Sequence, residues 1–376
     1  MRFTILREEF LKGLSTANRA VGGKASPVAS LVNLKIELNE RGLFITGSNY
    51  NFTIRSFTPY NRGEKEIIRN YKEGCVLVTA DLITNIIRKI ESEEVMFEVI
   101  DSTNAVISNN RSEYNLQCVR ADEYPDLDLE PDGTELSLTR QEFTSLVSQT
   151  AFAASLKEQR LILTALNLEA SNGVLVATAT DSARMARKEL QIPQEINFVT
   201  NIPAKMMEEI ARLVAESENV KISISDKKAL FSYNGNVIAT RLVAGEYPNT
   251  KNIIPHTIYH SLEVKSQDLV KTIERINILS VERENVVDLY ADEEKVEITA
   301  KSSQIGYAAE TLENYKYTGQ PIKISFNSDY VLTAIKAMNC EEVVLEFIGE
   351  MKPFVIKNPQ DDSVIQIVTP VRTYYW

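Results

Sequence analysis

The chain has 376 residues, 44% of them apolar and 25% charged, with a formal net charge of -11. Those values exclude an intrinsically disordered chain, and the length predicts two or three folded domains rather than one. An acid excess of this size also runs against nucleic-acid binding unless basic residues are gathered on one face.

In chain order, Phe3-Thr4-Ile5-Leu6 alternates like a strand and is followed at once by Arg7, Glu8 and Glu9. The opening therefore has no apolar core for a signal peptide, and no later stretch approaches a membrane span, so a cytoplasmic protein without membrane contact is expected. The spacing of Phe10, Leu11, Leu14 and Ala17 then predicts an amphipathic helix. Gly22-Gly23-Lys24 follows; it is not a phosphate loop, since Asn18 replaces the first glycine of that motif and Ala25 its Ser or Thr. Val78-Thr79-Ala80-Asp81-Leu82 again turns a strand into a helix, and Val95-Met96-Phe97-Glu98-Val99 opens a strand pair.

The same patterns then return. Leu136 to Thr144 and Leu262 to Val270 align with Phe3 to Leu11. Ile202-Pro203-Ala204-Lys205-Met206 and Phe326-Asn327-Ser328-Asp329-Tyr330 follow Val78 at successive intervals of 124, and Val220 and Val343 follow Val95 at 125 and then 123. Tyr124-Pro125 and Tyr247-Pro248 lie 123 apart as well. Independent patterns holding one interval in one order mean three copies of one domain. Polar, proline-containing runs at 126–133 and 249–256 mark the boundaries, giving domains 1–128, 129–254 and 255–376. Each copy holds two helices and many short strands, so the fold class is α+β with mostly antiparallel sheet.

Charge is unevenly shared. The helical stretches 7–24, 81–91, 140–157, 203–215, 265–280 and 328–339 carry a net +4, which leaves -15 for the rest of the chain. A chain split this way can face phosphate with its helices while strands and loops repel DNA, although lysines at helix ends are also what any soluble helix carries. Cys75, Cys118 and Cys340 are too few and too scattered for a disulfide framework or a zinc site and read as reduced thiols. Only His256 and His260 occur, in one linker-like stretch. Most metal sites and general-base schemes thus lack their usual residue, so no metal or cofactor is expected and binding is favoured over catalysis.

Ala177-Thr178-Ala179-Thr180-Asp181-Ser182-Ala183-Arg184-Met185-Ala186 resembles the Ala-Thr-Asp-Gly-His-Arg-Leu-Ala signature of the bacterial sliding clamps, the beta subunits of DNA polymerase III. Arg241-Leu242-Val243-Ala244-Gly245-Glu246-Tyr247-Pro248 is similar to that family's second-domain segment, and Gln366-Ile367-Val368-Thr369-Pro370-Val371-Arg372 to its carboxy terminus. The resemblance runs over the whole chain, in order. It implies three repeats of a clamp domain, each with two helices packed on antiparallel sheets, and a head-to-tail homodimer forming a closed ring with helices lining the hole. A heterologous interface whose rotation closes does make a ring, and closure leaves no free sheet edge. The implied function is that of a non-catalytic, nucleoid-associated processivity factor encircling double-stranded DNA without reading its sequence. Implied partners are the replicative polymerase, the clamp loader, other polymerases, ligase and mismatch-repair proteins.

By the same resemblance, a partner-peptide pocket between the second and third domains comprises Leu163, Thr180, Ser182, Ala183, Arg184, Met185, Pro248, Ile253, Asn327, Tyr330, Ile367, Val368, Pro370, Val371 and Arg372. It would take a short, largely apolar peptide with aromatic or leucine anchors. Taken singly, Leu163 and Ile367 read as core, whereas Pro370, Val371 and Arg372 sit at a chain end, where apolar residues need a reason. Two departures stand out: Ser182-Ala183 replaces the family's Gly-His, and Tyr374-Tyr375-Trp376 runs past its common end, as a frayed tail or as an aromatic addition to the pocket. The resemblance assigns Lys24, Lys157 and Lys205 to DNA, with Arg88, Arg212, Arg275 and Lys336 as further helix charges of unassigned facing; each alone reads first as a solvated side chain. Loose phosphate contacts suit a ring that slides, since base-edge contacts would stall it. Subunit closure falls on Tyr114, Ile278 and Leu279, which would be liabilities if exposed and unremarkable if buried.

Two rivals remain. An enzyme would use Asp181 as a nucleophile or with Asp226 as a metal pair, but an aspartate at a strand-to-turn position more often caps backbone amides, and no partner motif of a hydrolase or nuclease accompanies it. A repeat scaffold that binds proteins but never DNA would lack a basic stripe on its helices.

Overall fold

A strand that ends directly in a helix sets the chain's direction without a loop, and the described residues use this device six times. The helix α1 (Arg7–Asn18) follows the strand Arg2–Leu6, α2 (Ala80–Lys89) follows Gly74–Thr79, and α3 (Arg140–Ser148) follows Thr134–Thr139. Likewise α4 (Ala204–Leu213) follows Phe198–Pro203, α5 (Ser266–Asn277) follows His260–Lys265, and α6 (Ser328–Met338) follows Ile322–Asn327. The computed structural model describes all residues except 23–27, 102, 256, 281–283, 303–305 and 374–376, and only the backbone of Glu158. Each helix buries the stripe its sequence marks: α1 buries Phe10, Leu14 and Ala17, and α5 buries Leu269, Ile273 and Ile276.

Two helices are shorter than their sequence stretches. After Asn18 the amides of Ala20 and Val21 bond the carbonyls of Ala17 and Asn18, three residues back. After Ser148 the amide of Thr150 bonds the Val147 carbonyl, and the chain passes into the 3-10 turn Ala151–Ala153. Bonds to i-3 tighten the last turn and end the helix. Lys157 therefore lies beyond α3 and is not a helix charge, a correction to the 140–157 stretch, and Lys24 lies outside the described residues.

The chain condenses into two compact units, the first formed by Met1–Arg140 with Arg212–Leu242 and the second by Gln141–Ala211 with Val243–Trp376. The grouping follows shared sheets and not the repeat. Strands Thr134–Thr139, Asn219–Ile224, Lys228–Tyr233 and Asn236–Arg241 of the middle copy join the first unit, whereas Ala165–Ser171, Val174–Thr180 and Arg184–Gln191 join the second.

In the first unit a 13-stranded sheet runs through both contributing copies. They meet where Asn236–Arg241 lies antiparallel to Phe52–Thr58, in the register Val237 to Arg55, Ile238 to Ile54, Ala239 to Thr53 and Thr240 to Phe52. Beneath α1 the rings of Phe3 and Phe97 stack at 5.2 Å and Phe10 meets Phe3 edge-on at 5.6 Å. Strand Gly42–Ser48 needs glycine at 47, since a Cβ there would stand 2.1 Å from the Ala17 carbonyl oxygen of α1.

The second unit holds a nine-stranded and a four-stranded sheet. Here the middle and third copies meet where Asp361–Val368 lies antiparallel to Arg184–Gln191, from Arg184 opposite Val368 to Lys188 opposite Val364. Leu262, Ile273, Phe326, Phe347 and Phe354 anchor its core. No helix among the described residues is long and apolar enough to cross a membrane. The three cysteines are free, and burial pushes the Cys75 thiol up to about 11 and raises those of Cys118 and Cys340, which suits them as packing groups and not as nucleophiles.

Candidate functional site

The turn joining Val174–Thr180 to Arg184–Gln191 is built by its own side chains. Asp181 Oδ1 accepts from the amides of Ala183 at 2.9 Å and Arg184 at 3.0 Å, which is the amide-capping role expected of an aspartate there. Thr180 Oγ1 accepts from the Ser182 amide at 3.1 Å and donates to the Arg184 carbonyl at 2.6 Å. Ser182 takes the left-handed conformation, φ 79°, that glycine tolerates best. The Thr180 amide donates to Tyr247 Oη at 3.0 Å, and burial raises that hydroxyl well above its ordinary range.

Arg184 is the charged centre of the site. Its Nε donates to Asp181 Oδ2 at 3.0 Å and its Nη1 to Thr333 Oγ1 on α6 at 3.0 Å. The guanidinium lies over the ring of Tyr330 at 4.7 Å and over that of Phe152 at 5.5 Å, distances at which a cation is held by the π face. Burial raises the Tyr330 hydroxyl, with the Asp181 carboxylate adding to the effect, so the phenol stays neutral. Asn327 starts α6 by accepting from the amides of Asp329 and Tyr330, which sets Tyr330 in the first turn.

The chain end is tied into the same place. The Thr369 amide bonds the Ala183 carbonyl at 2.8 Å and the Val371 amide bonds the Ser325 carbonyl at 2.8 Å, so residues 369–371 are not frayed. Of the pocket residues read from sequence, Leu163, Met185, Ile367 and Val368 are core side chains at 1–3% exposure. Thr180 is buried as well, so the accessible surface here comes from Ser182, Ala183, Arg184, Tyr330, Pro370 and Val371, with Pro248, Ile253 (44% exposed), Asn327 and Arg372 also accessible. Phe152 and Thr333 escaped the sequence reading, and Tyr247 entered it only as a repeat and family marker, not as a site residue. The Asp-x-x-Arg spacing of 181 and 184 was the available signal for the pair that holds the site.

Of the remaining expected residues that are described, all but Leu279 are on the surface. Lys157, Lys205, Arg88 and Arg212 are exposed, and Arg88 donates to the neutral Asn85 amide at 2.7 Å. Arg275 grips both oxygens of Glu310, which holds that carboxyl below its ordinary range, and Lys336 pairs with Glu274 at 2.6 Å. Tyr114 is 37% and Ile278 72% exposed, whereas Leu279 packs against the core of the second unit. The tail 374–376 and His256 lie outside the described residues, among which no group of three or more His, Cys, Asp or Glu side chains is placed to hold a metal ion.

Family models for the DNA polymerase III beta subunit match in chain order: the N-terminal domain over residues 1–128, the central domain over 137–249 and the C-terminal domain over 251–372. The chain is 31% identical to the beta sliding clamp of Bacillus subtilis and 32% identical to that of Staphylococcus epidermidis, in each case over the whole of both chains. Among solved structures, the Bacillus subtilis DNA polymerase sliding clamp superimposes with a TM-score of 0.95 at 31% identity over the whole of both chains. The DNA polymerase III beta chain of Streptococcus pneumoniae does so with 0.94 at 28% identity, covering 99% of this chain and 100% of its own.

Proposed function

This chain belongs to the DNA polymerase III beta subunit family, the bacterial sliding clamps, and from that premise we propose how it closes its ring and where it holds its partners. It is a non-catalytic clamp subunit of DNA replication. Its three copies, taken as 1–128, 129–254 and 255–376, form half of a ring, and two chains encircle duplex DNA and tether the replicative polymerase. The clamp loader, other polymerases, ligase and mismatch-repair proteins belong to the same reading as further partners.

The observation that carries ring closure is the repeated strand junction. Phe52, Arg184 and Gly306 each open a strand, and the first two face Thr240 and Val368 of the following copy. The third such strand, Gly306–Thr311, is the end strand of its sheet. Its expected mate is Glu113–Val119, where Tyr114 pairs with Ile107 as Ile238 pairs with Phe231 in the middle copy. On its outer side Glu113–Val119 meets Gly74–Thr79 only at Cys118 and Val119, leaving room for a strand beside residues 113–117. The same register sets Leu116 opposite Gly306, Asn115 opposite Tyr307 and Tyr114 opposite Ala308 of a second copy, with the exposed Ile278 covered beside them.

Partner peptides dock on the Arg184, Tyr330 and Val371 surface, with apolar anchors against the Tyr330 ring and the 369–371 segment. Phosphate is met by Lys157, Lys205 and Arg88 ahead of Arg275 and Lys336, whose charges are already compensated by Glu310 and Glu274. Light scattering is expected to give twice the chain mass of 42.4 kDa. The pair Asn115→Cys with Tyr307→Cys is expected to yield disulfide-linked dimers on oxidation, and a failure to cross-link would reject this register. Loaded on nicked circular DNA, the protein is expected to be retained until the circle is linearised; equal retention on linear DNA rejects the ring.

A further inference from the structure

The molecule contains its own control for the turn at Asp181. In the first unit the turn leading into Phe52–Thr58 has Asn49 where this one has Asp181. Asn49 Oδ1 accepts from the amides of Asn51 at 3.1 Å and Phe52 at 2.8 Å, as Asp181 Oδ1 accepts from those of Ala183 and Arg184. Ser48 Oγ accepts from the Tyr50 amide at 3.0 Å, as Thr180 Oγ1 does from Ser182. Tyr50 and Ser182 share the left-handed conformation at φ 76° and 79°. The turn thus needs one side-chain acceptor, and a neutral amide supplies it. The second carboxylate oxygen of Asp181 has no part in the turn, and its partner is Arg184 Nε at 3.0 Å. Both side chains are only about one-sixth exposed, at 16% and 15%, so this pair is screened by water far less than a surface pair.

We infer that Asp181 is a positioning residue for partner binding: its outer oxygen, with Thr333, fixes Arg184 over the Tyr330 and Phe152 rings and so sets the aromatic wall that a peptide meets. Arginine carries much rotamer freedom, and a cleft in which it is already held does not have to order it when the peptide arrives. The inference rests on the peptide reading of this surface.

Asp181→Asn separates the two roles, because the amide keeps the acceptor that the turn needs and presents N–H donors to the guanidinium. The probe is a fluorescein-labelled peptide copied from the carboxy-terminal tail of the replicative polymerase, titrated into full-length protein. Asp181→Asn is expected to weaken it about fivefold to twentyfold, chiefly through faster dissociation, with the thermal midpoint lowered no further than in Arg184→Ala. Arg184→Ala is expected to weaken it at least as much, and the double variant no more than Arg184→Ala alone, since Asp181 acts through Arg184. Unchanged affinity in Asp181→Asn, additive losses in the double variant, or a midpoint lowered further than in Arg184→Ala would each overturn the inference. Tyr330→Ala and Val371→Asp are the separate check on the surface itself: if neither weakens the peptide, the docking reading fails, whereas if both do and Asp181→Asn does not, only the positioning role fails.

Discussion

The junction in the first unit and that in the second have the same backbone and different side chains. In both, an Asx-type turn with a left-handed second residue opens a strand, and that strand receives the last strand of the following copy. An amide at the end of that last strand bonds back to the turn in each: Arg241, the strand's final residue, to the Asn51 carbonyl at 2.9 Å, and Thr369, just past its strand, to the Ala183 carbonyl at 2.8 Å. At the strand's first position, however, stands Phe52, 3% exposed, in one case and Arg184 in the other. Repetition has kept the frame and left the side chains free, so a position that is core in one copy carries a partly exposed, ion-paired arginine in the next.

The largest expected effect tests this directly. Phe52→Ala removes a buried ring and is expected to cost about 3 to 5 kcal/mol in denaturant unfolding, whereas Arg184→Ala is expected to cost under about 1 kcal/mol. Equal losses would break the comparison. Next in size, Arg184→Ala is expected to weaken a polymerase-tail peptide by roughly tenfold or more, about 1.4 kcal/mol, and Arg241→Ala in the other junction not at all. A smaller effect concerns Arg241, whose guanidinium lies 4.4 Å from the centre of the Tyr50 ring at the surface. Its replacement by Ala is expected to lower stability by about 0.5 to 1 kcal/mol, measured by urea titration. The smallest is a gain: Ser182→Gly relieves the left-handed backbone and is expected to raise stability by about 0.5 kcal/mol, net of the entropy glycine adds to the unfolded chain. Tyr50→Gly relieves the same backbone but loses the Arg241 contact, and a gain there as large as at Ser182 would mean that this contact contributes nothing.

The repeat, the α+β class and the six strand-to-helix passages were legible because periods of 2 and 3.6 and a constant interval survive sequence change. Helix ends were less so: α1 and α3 close through i-3 bonds made by ordinary residues such as Ala20 and Thr150, which carry no stop signal. Burial was legible only in part. Leu163, Met185, Ile367 and Val368 are apolar wherever they point, and only packing reveals that they are core. Nor could sequence bring Phe152 and Thr333 to Arg184, since Phe152 reaches it from a distant element of the same copy and Thr333 from the third copy. Compensation of Arg275 by Glu310 and of Lys336 by Glu274 likewise depends on geometry: a tally of helix charge counts Arg275, Glu274 and Lys336 as if they were independent and leaves out Glu310, which lies on a strand.

The discontinuous first unit has a consequence for synthesis. Strand Phe52–Thr58 is made early, yet its mate Asn236–Arg241 leaves the ribosome only after most of the middle copy has been translated. At roughly 5 to 20 residues per second the wait is on the order of ten to forty seconds, far longer than a hairpin takes to form. During that interval the nascent chain presents an open sheet edge carrying Ile54 and Phe52, residues that end up at 0% and 3% exposure. The polar residues on the other face of that strand, Thr53 and Arg55, are what a strand needs to stay soluble while it waits. A ribosome carrying this chain shelters an unfinished sheet until residue 241 emerges.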